Sequence, residues 1–219
     1  RTSATVLVSG LDDRQACAAM SQAVGSPAPV TGAAHLPANV ADGLGFARPV
    51  TALRLEGVAP SVSAGVEALR GLLKDQGAIE VLDPAETAAL WLRLRDAAPF
   101  AAQAWPLWRI STPPMEGWRV LQALAPLGAE GYYDWAGGLI WLTLPDRLDA
   151  DAPAVRAALA APGGGGHATL VRAPSPTRSL VPIFQPQPPG LAALSARVKA
   201  SFDPKAVLTP GRRLHGEPA

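Results

Sequence analysis

Hydrophobic side chains recur at helical spacing in two stretches of the first half of the chain. In residues 61–76, apolar side chains occupy positions i, i+4, i+7 and i+11 and therefore share one helix face: Val62, Val66, Leu69 and Leu73. Residues 12–24 follow the same period, with Asp12 or Asp13 at the start and Gly25 near the end. Both stretches are predicted to be amphipathic helices that cover a core.

A third helix is predicted from its start signal, over residues 83–97. Asp83 can accept hydrogen bonds from the first free backbone N–H groups, Pro84 fits the first helical position, and Glu86 completes the pattern. The helix is expected to end before Pro99, because the residue that precedes a proline avoids the helical conformation.

Strand-like segments separate the predicted helices. They span residues 5–9, 29–35, 51–56, 78–82, 107–111, 131–135, 139–144 and 167–173, with two further helices at 116–125 and 152–161. The order β-α-β-β-α-β therefore occurs twice, over residues 3–82 and 105–173, although the two copies do not align in sequence. This order predicts an α+β, ferredoxin-like fold, duplicated, with an antiparallel sheet and helices on one face.

The chain changes character after residue 173. Residues 173–190 are rich in proline and show no periodicity, so an extended arm over the surface is predicted. A short helix is expected over residues 191–202, with Leu191, Leu194 and Val198 on one side, and a basic tail follows from residue 203. Two regions result: a ferredoxin-like domain at 1–173, and an arm, helix and tail at 174–219.

Charge is distributed unevenly along the chain. The total is +1, yet residues 1–151 hold 16 acidic and 11 basic side chains, while residues 152–219 hold 2 acidic and 8 basic ones. The total excludes the strong basicity typical of nucleic-acid binding. We expect the basic residues of the second part to cluster on one open face, where they would suit an anionic cofactor or a carboxylate substrate.

Several classes of protein are disfavoured by simple features. The single cysteine, Cys17, excludes an internal disulfide and a multi-cysteine zinc site, and its helical context is typical of a core residue. There is no apolar run of about 18 residues, so no membrane span is expected. The start of the sequence has no signal-peptide pattern, and it lies at the edge of a strand, which suggests a piece of something longer.

The most specific string is DPKAVLTPGR at residues 203–212. Asp203 followed by Pro204 ends the preceding helix, and the turn made by Pro210 and Gly211 presents Arg212. On composition alone, a tail that docks on its own domain is the favoured explanation of this string.

With the residues before it, this string carries a resemblance to a known family. Residues 198–212, VKASFDPKAVLTPGR, resemble the C-terminal signature of FAD-linked oxidases of the vanillyl-alcohol oxidase superfamily, in particular the FAD-binding (E) subunits of bacterial glycolate oxidases. Further similar strings follow in order along the chain: SGLDD (9–13), GAAHLP (32–37), LRLEG (53–57), LWRIS (107–111), YDW (133–135), GHATLVR (166–172) and QPQPP (185–189).

The resemblance implies a cofactor, FAD, of which most contacts lie in an N-terminal half that this chain lacks. It also implies a ferredoxin-like cap domain, in agreement with the element order. The tail residues that it implies beside the cofactor are Thr209, Gly211 and Arg212; Thr209 stands where the family usually carries asparagine.

The implied activity is oxidation of glycolate or a similar small 2-hydroxy acid, with hydride transfer to FAD. The implied partners are the chain's own N-terminal FAD domain, a second flavin subunit and an iron–sulfur subunit, so the isolated fragment is expected to be inactive. We expect a cytoplasmic location, or a peripheral one at the inner membrane through the partner subunits.

Four residues are candidates for catalysis. His167 follows the glycine run 163–166 and matches a Gly-His string of the family near the flavin, where a neutral imidazole would accept the hydroxyl proton. Arg109 and Arg172 are candidates for a bidentate contact with the substrate carboxylate. A regular strand, however, would place Arg172 on the face away from His167. The alternative for the glycine run is a flexible turn without a catalytic role. The alternative for the two arginines is a surface or ion-pair role.

The aromatic residues leave two interpretations open. Tyr132 and Tyr133 are adjacent on a strand, so one is expected to point inward and the other outward, where it could line a site; Tyr133 is the fourth catalytic candidate. All six tryptophans lie between residues 91 and 141, where they either pack in the core or form a face that covers the flavin.

No metal site is predicted, since the histidines show no ligand spacing. The sequence thus favours a domain of an FAD-dependent 2-hydroxy-acid oxidoreductase. The main alternative is a non-catalytic interaction domain of a flavin dehydrogenase complex; a small-molecule regulatory domain would rest on the fold class alone.

Overall fold

The computed structural model describes residues 1–160 and 165–208. In that part of the chain the strands are β1 Thr2–Ser9, β2 Val30–Leu36, β3 Val50–Gly57, β4 Ala78–Leu82, β5 Leu107–Ser111, β6 Glu130–Asp134, β7 Leu139–Thr143 and β8 His167–Arg172. The α-helices are α1 Asp13–Val24, α2 Ala38–Asp42, α3 Ala59–Leu73, α4 Pro84–Arg95, α5 Gly117–Leu124, α6 Ala152–Ala160, α7 Ser175–Leu180 and α8 Pro189–Phe202.

The strands form one antiparallel sheet in the order β4-β1-β3-β2-β6-β7-β5-β8. Its first four strands and, read inward from the other edge, its last four have the same arrangement, so the sheet consists of two ferredoxin-like units joined edge to edge. The joint is the antiparallel pairing of β2 with β6, at His35 and Tyr133. The predicted fold class is confirmed.

Local signals explain why the helices begin where they do. Asp12 accepts a hydrogen bond from the backbone N–H of Gln15, and the Gln15 side chain accepts one from the backbone N–H of Asp12. Asp83 and Glu86 form the same reciprocal pair at the start of α4, as predicted. Each pair satisfies backbone donors that a helix start otherwise leaves free.

Both faces of the sheet are covered, by different helices. On one side, here called the helix face, α1, α3, α5 and α6 pack against strand residues such as Val6, Leu53 and Ile140. On the other side, the α4 face, α4 and α2 pack against Leu7, Leu36 and their neighbours. The helices of the two repeated units therefore share one face as predicted, and α4, which connects the units, shields part of the other.

The segment after β8 differs from its prediction. Residues 173–190 were predicted to be extended throughout, which is wrong at Ser175–Leu180, a short helix with Pro176 in its first turn. Proline is favourable at that position because its missing N–H has no partner there in any helix. The helix predicted near residues 191–202 is present as α8. None of the described helices is both long and apolar enough to cross a membrane.

The packing of α3 gives a test of the fold. Leu69 is fully buried in the helix-face core, whereas Leu72, one turn along the same helix, is 41% exposed. We expect Leu69→Ala to lower the free energy of unfolding by about 2–5 kcal/mol, because it removes buried contacts and leaves a cavity.

The matched control is Leu72→Ala, which should cost less than about 1 kcal/mol. Urea unfolding followed by circular dichroism measures both variants. Equal losses would contradict the described orientation of α3.

Candidate functional site

A groove of about 740 Å³ lies on the α4 face and crosses the joint between the two units. One wall is α4, the floor is the central part of the sheet, and the far wall is the turn between β6 and β7. Its principal side chains are Arg54, Glu56, Trp91, Arg95, Arg109, Asp134, Trp135, Leu139 and Trp141.

The first unit contributes an arginine stacked on a tryptophan. The guanidinium of Arg54 lies 4.8 Å from the ring centre of Trp91, a cation–π distance. The indole of Trp91 donates a hydrogen bond to Thr5 at 3.0 Å. Trp91 lies so close to Gly32 that a Cβ at this position would approach the indole to 2.9 Å. Glu56 lies 3.4 Å from the Arg54 Nε and neutralises part of its charge.

The second unit contributes a similar pair. The guanidinium of Arg109 lies 5.0 Å from the ring centre of Trp135, whose side chain is 59% exposed. Trp135 and Ala136 both have positive φ, at 51° and 57°, which is unfavourable for residues other than glycine. Strain of this kind is concentrated at functional positions. Within residues 1–160 and 165–208, Arg109 has no hydrogen bond or ion pair with an acidic side chain.

Asp134 lies between these two pairs, at the end of β6. Burial raises its pKa, and this outweighs the hydrogen bond that its carboxylate accepts from the backbone N–H of Trp135 and the attraction of Arg54. The hydrogen bond, at 2.7 Å, holds the strained turn in place.

His167 lies on the same face as Arg109 but outside the lining of the groove. It is exposed at the start of β8, opposite Ser111, while Arg109 pairs with Thr169. Arg109 and His167 are therefore diagonal neighbours across β5 and β8. The backbone positions of such neighbours are roughly 7–8 Å apart in an antiparallel pair. Before His167, a Cβ on Gly166 would overlap the carbonyl oxygen of Ser111, so this glycine is required by a close approach.

The expectation that Arg172 lies on the strand face opposite His167, which assumed a regular strand, is wrong. The pairing of β5 with β8 shifts between Leu107 and Trp108, so Arg172 lies opposite Leu107, on the α4 face with His167. The bulge adds one residue and reverses the side on which Arg172 emerges. Its guanidinium donates to the backbone carbonyls of Phe100 and Trp105 at 2.8 and 3.2 Å, and this contact ties β8 to the segment after α4.

The expectation that one of the two tyrosines points outward is also wrong. Both are fully buried, because the sheet is covered on both faces. Tyr132 donates to the carbonyl of Leu94 on the α4 face, and Tyr133 donates to Asp13 on the helix face at 2.7 Å. Tyr133 is thus separated by the sheet from Arg109 and His167.

A buried polar cluster surrounds Tyr133 at the joint between the units. His35 Nδ1 lies 2.9 Å from Thr51 Oγ1, and its Nε2 lies 3.4 Å from Asp13. The His35 and Tyr133 rings are stacked with centres 5.9 Å apart. Burial alone would raise the pKa of Asp13, but the close contact with His35 and the hydrogen bond from Tyr133 together outweigh it and hold this pKa below its ordinary value.

Burial also raises the pKa of Tyr133 and, to about 12, that of nearby Cys17. The Cys17 thiol therefore stays protonated at neutral pH, as expected for a core residue.

The predicted cofactor residues Thr209, Gly211 and Arg212 lie outside the described residues. The segment that leads to them is held by Asp203, whose carboxylate accepts from the backbone N–H groups of Val207 and Leu208 at 3.0 and 2.9 Å. Lys199 donates to the same carboxylate at 2.9 Å.

The basic residues of the second part are not gathered on one face where the structure describes them. Arg156 lies on α6, on the helix face, and donates to the carbonyl of Pro182. Arg172 lies on the opposite face of the sheet, and Lys199 pairs with Asp203. Arg156 and Arg172 therefore lie on different faces, and the cations that line the groove come from the first 151 residues instead.

Sequence reasoning did not single out Arg54 or Trp91. The alternation of residues 53–56 did show that Arg54 lies on the side of β3 opposite its leucines. The missing information was that α4 crosses this side and brings Trp91 over it.

Comparison with solved structures finds the same fold in proteins about twice as long. The crystal structure of p-cresol methylhydroxylase with substrate bound matches with a TM-score of 0.61 and 12% identity, over 96% of this chain and 52% of that one. The 4-ethylphenol oxidase from Gulosibacter chungangensis, in complex with isoeugenol, matches with a TM-score of 0.56 and 14% identity, over 96% and 53%. At these identities the likeness shows the fold.

The chain spans about half the length of these two proteins. No protein-family model matches the sequence. No curated protein matches it either.

The buried cluster predicts a pH-dependent contribution to stability. Because folding lowers the pKa of Asp13, its contribution is fully present above the ordinary value of 3.8 and is lost as the pH falls through the lowered one. Asp13→Asn should therefore lower the free energy of unfolding by about 1 kcal/mol at neutral pH, since a third of the carboxylate is exposed and screened.

The difference between wild type and Asp13→Asn should vanish between about pH 5 and about pH 2. Urea unfolding at a series of pH values measures it, with the exposed Asp75→Asn as control. A difference that stays constant over this range would show that Asp13 does not titrate within the cluster.

Proposed function

We propose that this chain is the substrate-side domain of an FAD-linked oxidoreductase of the vanillyl-alcohol oxidase superfamily. Two lines of support are independent of each other. The fold is shared with a methylhydroxylase and an oxidase that are twice as long. The family-like strings follow in order along nearly the whole sequence, from residue 9 to residue 212.

The main support for this proposal is the position of Arg109 in the groove. Its guanidinium lies against an exposed indole on a strained turn, without an acidic partner in the described part of the chain. An arginine held in this way can bind a carboxylate with two parallel hydrogen bonds. The groove therefore has the principal group that recognition of an anionic substrate requires.

For the substrate we propose a 2-hydroxy acid, with glycolate as the simplest case. The support is the similarity of the strings to glycolate oxidase subunits, together with the chemistry of two neighbours, Arg109 and His167. Arg109 would hold the carboxylate, and the exposed His167 would accept the hydroxyl proton as the acid becomes a 2-oxo acid. FAD, when bound, supplies the acceptor for the hydride. The comparison proteins are named for phenols, which lack the carboxylate that Arg109 would bind.

The FAD-carrying half is proposed to dock on α8. The described residues of this helix bury no side chain, and Leu191, Leu194 and Val198 on one side are each 50% exposed. Burial of an exposed apolar row of this kind under another surface is favourable. The comparison proteins contain about as much chain again as the part that matches. Thr209, Gly211 and Arg212, just beyond α8, are proposed to contact the cofactor there.

The second flavin subunit and the iron–sulfur subunit are proposed as the route by which electrons leave. The exposed row on α8 also favours the alternative, in which this chain is a non-catalytic interaction domain of such a complex. The two proposals differ in what Arg109 and His167 do, and this difference can be measured.

The catalytic proposal is tested in the holoenzyme that contains this chain, with its partner subunits. Arg109→Gln should lower the rate of anaerobic flavin reduction by glycolate by about tenfold to a hundredfold at limiting substrate, since a charged hydrogen bond is lost. His167→Ala should reduce the rate at saturating substrate, because the proton acceptor is gone.

The control is Arg70→Gln on the outer side of α3, where the arginine pairs only with Glu67 in the described structure. It should reduce flavin at the wild-type rate. Wild-type rates in all three variants would support the interaction domain instead.

The docking proposal is tested with a charge on either side of α8. Leu194→Asp should reduce recovery of the FAD-carrying half in a pull-down at least tenfold, because it places a carboxylate in an apolar contact. Ala196→Asp lies about 200° around the same helix and should not reduce it. Equal recovery with both variants would place the docking surface elsewhere.

A further inference from the structure

The size of the groove limits the kind of ligand that it fits. Its volume of about 740 Å³ lies within the range of roughly 300–1,000 Å³ that is typical of sites for drug-sized molecules. A two-carbon acid such as glycolate would leave most of this space filled with water. The groove therefore accommodates a substantially larger molecule.

The walls indicate what the rest of this molecule is made of. Trp141 pairs directly with Arg109 across β7 and β5, so the two side chains emerge side by side on the α4 face. Trp91 and Leu139 continue the apolar surface. Flat aromatic walls favour a flat apolar group, because rings gain from stacking beyond the area that they bury.

The charges indicate a single anionic group. Arg54 is already paired with Glu56, and Arg95 lies 2.8 Å from Asp96. Arg109 is the groove cation for which the described residues supply no acidic partner. Asp134, the acid next to the turn between β6 and β7, accepts a hydrogen bond from the backbone N–H of Trp135.

We infer that the groove binds an aromatic carboxylic acid, with the carboxylate on Arg109 and the ring against Trp141. For turnover this inference rests on the proposed function, which it sharpens: the substrate class becomes 2-hydroxy acids that carry an aryl group. For binding alone it rests on the groove itself.

Isothermal titration calorimetry of the full chain separates the ring from the carboxylate. Mandelate has both groups, glycolate has the carboxylate alone, and 1-phenyl-1,2-ethanediol has the ring alone. We expect mandelate to bind at least tenfold more tightly than either of the others. Riboflavin serves as the rival occupant, because its flat ring system would also suit the tryptophans.

Variants then assign the two contacts. Arg109→Gln should weaken mandelate binding about tenfold to a hundredfold. Arg109→Lys should recover part of this loss of affinity, because it restores the charge without the planar fork. Trp141→Leu should weaken mandelate binding about threefold to tenfold.

Each variant has a matched control away from the groove. Arg70→Gln removes an exposed arginine on α3, and Trp118→Leu removes a tryptophan that stacks with Arg14 and Arg119. Both should bind mandelate as the wild type does. Circular dichroism and thermal melting confirm that each variant is folded.

The inference is overturned if glycolate binds as tightly as mandelate, if Arg109→Gln has no effect on mandelate binding, or if riboflavin binds and mandelate does not. Flavin reduction in the holoenzyme separates this result from the proposed function. Binding of mandelate without any flavin reduction by 2-hydroxy acids would refute the function and keep the site. Reduction by glycolate without binding of mandelate would refute the site and keep the function.

Discussion

The structure depends on the antiparallel pairing of β2 with β6. Each of these strands is an edge of its own four-stranded unit, and an exposed edge presents unpaired backbone groups that favour aggregation. Their pairing removes two such edges at once and makes one continuous sheet. The backbone register contains only the pair His35 and Tyr133, so the side chains around it matter. Asp13, which contacts both, connects α1 of the first unit to β6 of the second.

The groove is a consequence of this joint. Neither unit alone could form it, because Arg54 and Trp91 belong to the first unit and its connecting helix, while Arg109 and Trp135 belong to the second. The buried cluster holds the two units together from the helix face, and the groove uses the opposite face of the same strands. A rigid scaffold with polar groups placed on one open face is the usual arrangement of a binding site.

Much of the fold could be predicted from the sequence because its signals are local. The reciprocal cap of Asp83 and Glu86 and the spacing of leucines on α3 depend on residues a few positions apart. The side on which a residue finally lies is not a local property. The bulge in β8 reverses Arg172, and the second layer made by α4 buries Tyr132. The candidate site was predictable only in part for the same reason, since Trp91 reaches Arg54 through packing between distant segments.

Both the proposed function and the inferred ligand require that Arg109, on the sheet face at the joint, binds a carboxylate. The most direct measurement is a crystal structure of the holoenzyme with mandelate bound. We expect the carboxylate to lie about 2.7–3.2 Å from the Arg109 guanidinium nitrogens, with the ring against Trp141. A structure with the acid bound away from this groove, or with the isoalloxazine ring of the flavin filling it, would show that Arg109 does not bind the substrate carboxylate.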